Sequence, residues 1–83
     1  MRRAGAVATL TFALTEPEEL SVAVYRLDGA RVANLLSGTV SAGEHIVFWD
    51  GRDEHGGPAA SGSYVMRMDR KREARAYSFV TVR

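Results

Sequence analysis

The chain has 83 residues, of which 46% are hydrophobic and 25% are charged, a composition typical of one folded domain and not of a disordered tail. Its net charge of +1 argues against an overall electrostatic attraction to nucleic acid or to an anionic membrane, and the absence of Cys excludes disulfides and thiolate metal sites. No stretch approaches the roughly 20 apolar residues of a membrane span. We therefore predict a single domain over residues 1–83.

The N-terminal residues allow two interpretations. Met1, Arg2 and Arg3 precede a mostly apolar run, which superficially resembles a short signal peptide. Thr9 and Thr11 interrupt that run, and the apolar residues alternate with them. This alternation favours a strand that belongs to the fold.

Apolar residues alternate with polar ones along most of the chain, which is typical of half-buried strands. No window shows the apolar spacing and caps of a helix. In chain order, the predicted strands carry Leu10, Phe12 and Leu14; Leu20, Val22 and Val24; Val32, Leu35 and Leu36; a short weak segment at 39–41; His45, Val47 and Trp49 within 44–50; Tyr64, Met66 and Met68; and residues 74–83. Turns are predicted at 16–19, Asp28-Gly29, Ser37-Gly38, Ala42-Gly43 and the charged tip 69–73. The buried face of the last strand stays open, because Phe79 and Val80 both qualify.

About seven short strands, with turn signals roughly every 8–12 residues, indicate an antiparallel β-sandwich. A single sheet would leave an apolar face in water, whereas two sheets packed about 10 Å apart bury both. We therefore predict an all-β fold, an Ig- or fibronectin-III-like sandwich of about seven strands.

Trp49 and Tyr64 flank a polar loop rich in Gly. Each shares a face with aliphatic neighbours, so we expect both rings in the core and not stacked on a sugar or a base. The Tyr64 hydroxyl is expected to bond back to a nearby backbone group, as in the tyrosine corner of Ig-like domains. Asp50 is expected to bond to loop amides, and Gly51 to adopt a positive φ. The predicted structural signature is Trp49, Asp50, Gly51, Gly62 and Tyr64.

The same loop offers acidic oxygens that Ca²⁺ would accept as ligands, from Asp50, Asp53 and Glu54. However, their spacing is not the alternating pattern of a Ca²⁺ loop, and Arg52 lies among them. We therefore prefer the turn-forming role and predict no metal and no cofactor.

Two histidines raise the possibility of a metal site or, with Asp50 and Ser61, of a hydrolytic triad. No nucleophile elbow or second-shell partner is visible in the sequence. We expect His45 to be half-buried and bonded to the backbone, and His55 to be a loop residue. The chain is predicted to have no enzymatic activity.

The basic residues Arg67, Arg70, Lys71, Arg72 and Arg75 surround a hairpin tip that offers a site for phosphate or for an acidic partner. Acidic residues interrupt the cluster, and charged hairpin tips commonly serve solubility. A solvated tip is the preferred interpretation.

The segment 44–50 is apolar on both faces, since the residues between His45, Val47 and Trp49 are also apolar. If the second face is open to solvent, it forms a contact patch for another domain or subunit. The alternative is that loops at 34–41 or the chain termini cover it. The residues predicted for this patch are Tyr25, Ile46 and Phe48.

These motifs together resemble the Ig-like domain of the flagellar hook-capping protein FlgD, a family also found near the C-termini of secreted bacterial proteins. The resemblance extends over nearly the whole chain and is carried by residues 10–14, 24–25, 28–32, 42–45, 49–53, Gly56 and 61–64. The chain departs from the family pattern at Arg26, where the family usually has Asp.

The resemblance implies a structural or assembly module of an exported or cell-surface bacterial protein. Its implied partners are other domains of that protein or neighbouring subunits, without nucleic acid and without membrane insertion. Two alternatives stay open: a carbohydrate-binding module of a secreted hydrolase, and a C-terminal sorting domain of the type IX secretion pathway, which has a similar sandwich. Fold alone does not choose among these functions.

Overall fold

A computed structural model describes residues 8–71 and 74–81, with side chains for residues 8–71. Six strands make up the regular structure: β1 (Ala8–Leu14), β2 (Glu18–Arg26), β3 (Arg31–Val40), β4 (Gly43–Trp49), β5 (Gly62–Arg70) and β6 (Ala74–Thr81). The all-β prediction is confirmed. None of the described residues forms a helix that is long and apolar enough to cross a membrane.

The strands form two antiparallel sheets, one of two strands in the order β1-β4 and one of four strands in the order β3-β2-β5-β6. Side chains from both sheets share one apolar core, which is the sandwich that the sequence predicts. Among the described residues the strand count is six and not seven, because the segment predicted at 39–41 is the end of β3. Gly38 lies within β3 opposite Leu20 and does not end the strand.

The predicted alternation places the core residues correctly in β1, β2, β4 and β5. Each of these strands turns one face inward because alternate side chains point to opposite sides of a sheet. Burial of this apolar surface is the main stabilising contribution to a small domain. The buried residues of these four strands include Leu10, Leu14, Leu20, Val22, Val24, Val47, Trp49, Tyr64, Met66 and Met68.

β3 departs from the simple alternation. Val32 and Ala33 are adjacent and both buried, whereas Leu35 and Leu36, which were predicted to line the strand, are only half-buried. The pairing of β2 with β3 shifts register at two places, between Val22 and Ala23 and again beyond Val24. Each shift inserts an extra residue into β3 and moves the side chains that follow to the other face.

The turn between β2 and β3 has the predicted Asp-Gly chemistry. Gly29 has a φ of 97°, and its N–H donates to the carbonyl of Arg26 at 2.9 Å. Asp28 accepts from the N–H of Ala30 at 3.0 Å. Arg26 closes the hairpin through its own N–H to the carbonyl of Ala30 at 2.8 Å, so the departure from the family pattern leaves the turn intact.

Two predictions fall partly outside the described residues. The last strand is present as β6 (Ala74–Thr81), but which of its faces is buried lies outside the described side chains. At the opposite end, residues 8–14 form a strand of the sandwich, as their alternation predicts, and residues 1–7 lie outside the description.

Candidate functional site

β4 presents two different faces. On the inner face, Val47 and Trp49 are buried, and His45 is half-buried. On the outer face, Ile46 is 65% exposed and Phe48 is 62% exposed. Thus one strand carries both the centre of the core and two of the large apolar side chains that lie in solvent.

Trp49 is fixed in the core by its ring and by its nitrogen. It is 1% exposed, and its ring meets that of Tyr64 edge-on at a centroid distance of 5.1 Å. The indole N–H donates to the carbonyl of Arg52 at 2.8 Å, and the Tyr64 hydroxyl donates to the carbonyl of Ala60. The two rings therefore hold both ends of the loop that joins β4 to β5, and the predicted return of the Tyr64 hydroxyl to the backbone is confirmed.

Two Asp residues organise the loop between these rings. Asp50 accepts from the N–H of Arg52 at 3.0 Å, and Gly51 has a φ of 86°, both as predicted. Asp53 accepts from the N–H groups of His55 and Gly57 at 2.9 and 3.0 Å. This turn-forming role of Asp53 was missed in the sequence, although Asp followed by Gly residues in a loop is the signal for it.

The loop acids do not converge on a common point. Among the described residues, no group of three or more His, Asp or Glu side chains lies close enough to hold a metal ion. Glu54 pairs with Arg31 of β3 at 2.5 Å, which ties the loop to the edge of the larger sheet. The carboxylates of the loop are directed at loop amides and at an arginine, so their role is to hold the backbone of the loop in its conformation.

The histidines are not brought together. His45 lies on β4, its Nε2–H donates to the carbonyl of Ser41 at 2.7 Å, and its ring stacks on Phe12 at a centroid distance of 5.4 Å. His55 lies in the loop turn, where its backbone N–H is bonded to Asp53. The predicted backbone bond of His45 is confirmed.

The outer face of the two-stranded sheet is open. Phe48 pairs across the sheet with Thr9, and Ile46 with Thr11, and both threonines are exposed. The loops at 34–41 do not cover this face, since Ile46 and Phe48 are each more than 60% exposed, and the chain termini of the same alternative lie outside the described residues. We call Ile46 and Phe48, with Thr9 and Thr11 beside them, the β4 patch.

Tyr25 does not belong to the β4 patch. It lies on β2 in the larger sheet, opposite Val65, and both residues are half-buried. The preceding residue, Val24, is fully buried, so Tyr25 points away from the core on the far side of the sandwich. The structure therefore separates Tyr25 from the two residues with which it was grouped.

Phe48 is the one strongly exposed aromatic side chain among the described residues. These residues therefore do not form the row of exposed aromatic rings on which a sugar would stack.

The basic hairpin tip is partly neutralised. Arg70 donates to both carboxylate oxygens of Glu18 at 2.6 and 2.8 Å, and Arg67 donates to Asp69 at 2.8 Å. Lys71 is exposed, while Arg72 and the side chain of Arg75 lie outside the described residues. The paired arginines agree with a solvated, charge-balanced tip.

The sequence-family model of the FlgD Ig-like domain matches residues 2–74 of the chain. The chain belongs to this family. A solved structure, that of FlgD from P. aeruginosa, matches with a TM-score of 0.62 at 24% sequence identity over 88% of the chain. A search of curated proteins finds no match. At this identity the structural match supports the fold alone.

This FlgD Ig-like domain spans 57% of the P. aeruginosa FlgD chain. What the rest of a FlgD protein does is therefore not carried over to it. Within the domain, the predicted signature has a physical explanation: Trp49 and Tyr64 pack in the core, Asp50 and Gly51 shape the turn, and Gly62 begins β5.

Proposed function

We propose that this FlgD Ig-like domain is a non-catalytic assembly module that contacts other proteins through the β4 patch. The observation that carries the proposal is the exposure of Ile46 and Phe48 on a strand whose other face forms the core. Contiguous apolar side chains in solvent mark interaction surfaces more often than isolated ones do. Neither side chain belongs to the core cluster, so a contact role explains why apolar residues occupy these two positions.

The size of the patch indicates the kind of contact. Burying the exposed part of Ile46 and Phe48 contributes about 1–2 kcal/mol each. A stable complex between free proteins usually buries about 800 Å² on each partner, far more than the outer face of a two-stranded sheet offers. The β4 patch is therefore suited to a partner already held nearby, such as another domain of the same protein or a neighbouring subunit of an assembly.

The way in which the polar residues are used supports a non-catalytic role. The loop acids bond to amides or to Arg31, His45 bonds to a carbonyl, and Arg70 pairs with Glu18. Each of these contacts holds a loop in place or links two strands. Membership in the family supports a location outside the cytoplasm, in a hook-cap-like assembly or on an exported protein.

The patch is tested by Phe48→Asp in the full-length protein. We expect association with the partner domain or subunit to weaken about tenfold or more, because an interfacial aromatic anchor is replaced by a charge. Sedimentation velocity across a concentration series gives the assembled fraction. Thr39→Asp is the matched control, since Thr39 is an exposed strand residue of the other sheet. Equal assembly of both variants and the unaltered protein would rule the β4 patch out as the contact.

A further inference from the structure

The free edge of β1 is a second feature that the proposed function does not use. Among the described residues, β1 pairs with β4 and with no other strand. In a strand, the N–H and C=O groups of alternate residues point to opposite edges. Half of the backbone groups of β1 therefore point to an edge that no described strand occupies.

This edge lacks the usual protection against strand pairing. Natural edge strands carry charges, Pro or bulges that discourage another strand from binding. β3, an edge of the larger sheet, has two register shifts and begins with Arg31, and β4 carries Glu44. β1 has the sequence ATLTFAL, with no charge, no Pro and no Gly, and pairs with β4 in an unbroken register.

The widths of the two sheets leave room beside β1. Neighbouring strands lie about 4.8 Å apart. The outer strands of the four-stranded sheet are thus about 14 Å apart, and those of the two-stranded sheet about 5 Å. A link of residues 41 and 42 joins β3 to β4, which holds β4 close to the β3 side of the larger sheet. The extra width lies on the other side, next to the free edge of β1.

We propose that the free edge of β1 binds an extended strand supplied by another polypeptide, which becomes the third strand of the smaller sheet. The strand that fits is uncharged over about seven residues and alternates apolar with small polar side chains. Its apolar positions lie level with Leu10 and Leu14, which are buried, and its polar positions lie level with Thr9 and Thr11, which are exposed.

A second copy of this domain suits the same edge less well, because two β1 edges paired in parallel form the less stable kind of strand pair. Antiparallel pairing of two β1 edges would place both larger sheets on the same side, and each extends past its own β1 by about 10 Å. The two extensions would occupy the same space. One added strand, in contrast, lies within the width that the larger sheet already spans.

The proposal is tested with a peptide that carries the sequence of residues 8–14 between lysine pairs added for solubility. The peptide can pair antiparallel to β1 with its central threonine opposite Thr11. In this register its apolar side chains lie on the inner face of the sheet and its threonines on the outer face. We expect it to bind the chain and to slow amide hydrogen exchange at alternate residues of β1. The matched control is the same peptide N-methylated at every second residue on its binding edge, which keeps the side chains but loses the donors. It should bind at least about tenfold more weakly, since about three hydrogen bonds are lost.

Four results would overturn the proposal. Equal binding of both peptides would show contact with a face and not with the edge. Slow exchange at all β1 amides in the free monomer would show that the edge is already occupied, and a dimer of the free chain with those amides protected would make a second copy the occupant. Phe48→Asp should bind the peptide as the unaltered chain does. Loss of binding in that variant would also overturn the edge site, whereas failure of the β4 patch in assembly leaves it standing.

Discussion

Val47→Asp is expected to leave the chain unfolded, whereas Phe48→Asp, one residue further along β4, is expected to leave it folded. Val47 is 9% exposed and contacts the core, so an Asp there places a carboxylate among apolar side chains. That costs several kcal/mol, comparable to the roughly 4–12 kcal/mol of total stability expected for a domain of this size. Phe48 is 62% exposed, so an Asp in its place stays in water and changes the free energy of unfolding by about 1 kcal/mol or less.

Far-ultraviolet circular dichroism and urea titration of the two variants provide the measurement. The comparison is controlled internally, because both substitutions add the same charge to the same strand. If Phe48→Asp also unfolds, the outer face of β4 is part of the core and the β4 patch does not exist. If Val47→Asp stays folded with native stability, the two faces are assigned the wrong way round.

Trp49→Ala is expected to lower the free energy of unfolding by about 3–5 kcal/mol, because it removes the largest fully buried side chain and leaves a cavity. The loss includes the edge-on contact with Tyr64 and the hydrogen bond to the carbonyl of Arg52. In a small domain, a loss of this size shifts the thermal midpoint by about 4–8 °C per kcal/mol. Guanidinium titration followed by Tyr fluorescence and circular dichroism measures it.

Trp49→Phe separates the stability that comes from ring packing from the stability that comes from the indole hydrogen bond. It keeps an aromatic side chain between the sheets but cannot donate to Arg52, so we expect a smaller loss of about 1–2 kcal/mol. A Trp49→Ala variant as stable as the unaltered chain would mean that the ring does not fill the core. The loop from β4 to β5 would then need a different explanation from the one its hydrogen bonds give.

The inner faces of β1, β2, β4 and β5 were predictable because apolar residues recur there at alternate positions and one side of each strand must be buried. In β5, Tyr64, Met66 and Met68 occupy alternate positions, and a shift of one residue would put all three in water. The same argument located Trp49 in the core. The bond from the Tyr64 hydroxyl to the backbone was predicted differently, from the tyrosine corner of Ig-like domains.

Other features depend on pairing between distant segments, which alternation does not encode. The two register shifts in β3 arise from its pairing with β2. The burial of Ala33 and the partial exposure of Leu35 therefore could not be predicted from the residues of β3 alone. Similarly, whether Tyr25 lies beside Phe48 depends on which sheet each strand joins. The free edge of β1 is visible only once the two sheets and their widths are known.

The most direct test of the central claim, that the outer face of β4 is a contact surface, is covalent labelling of Phe48 by a carbene or hydroxyl-radical probe. Labelling is measured by mass spectrometry on the purified chain and on the assembled protein, with Leu27 as reference because it is 68% exposed at a turn between strands of the other sheet. We predict that assembly lowers the labelling of Phe48 severalfold and leaves that of Leu27 unchanged. Equal labelling of Phe48 in both states would contradict the claim.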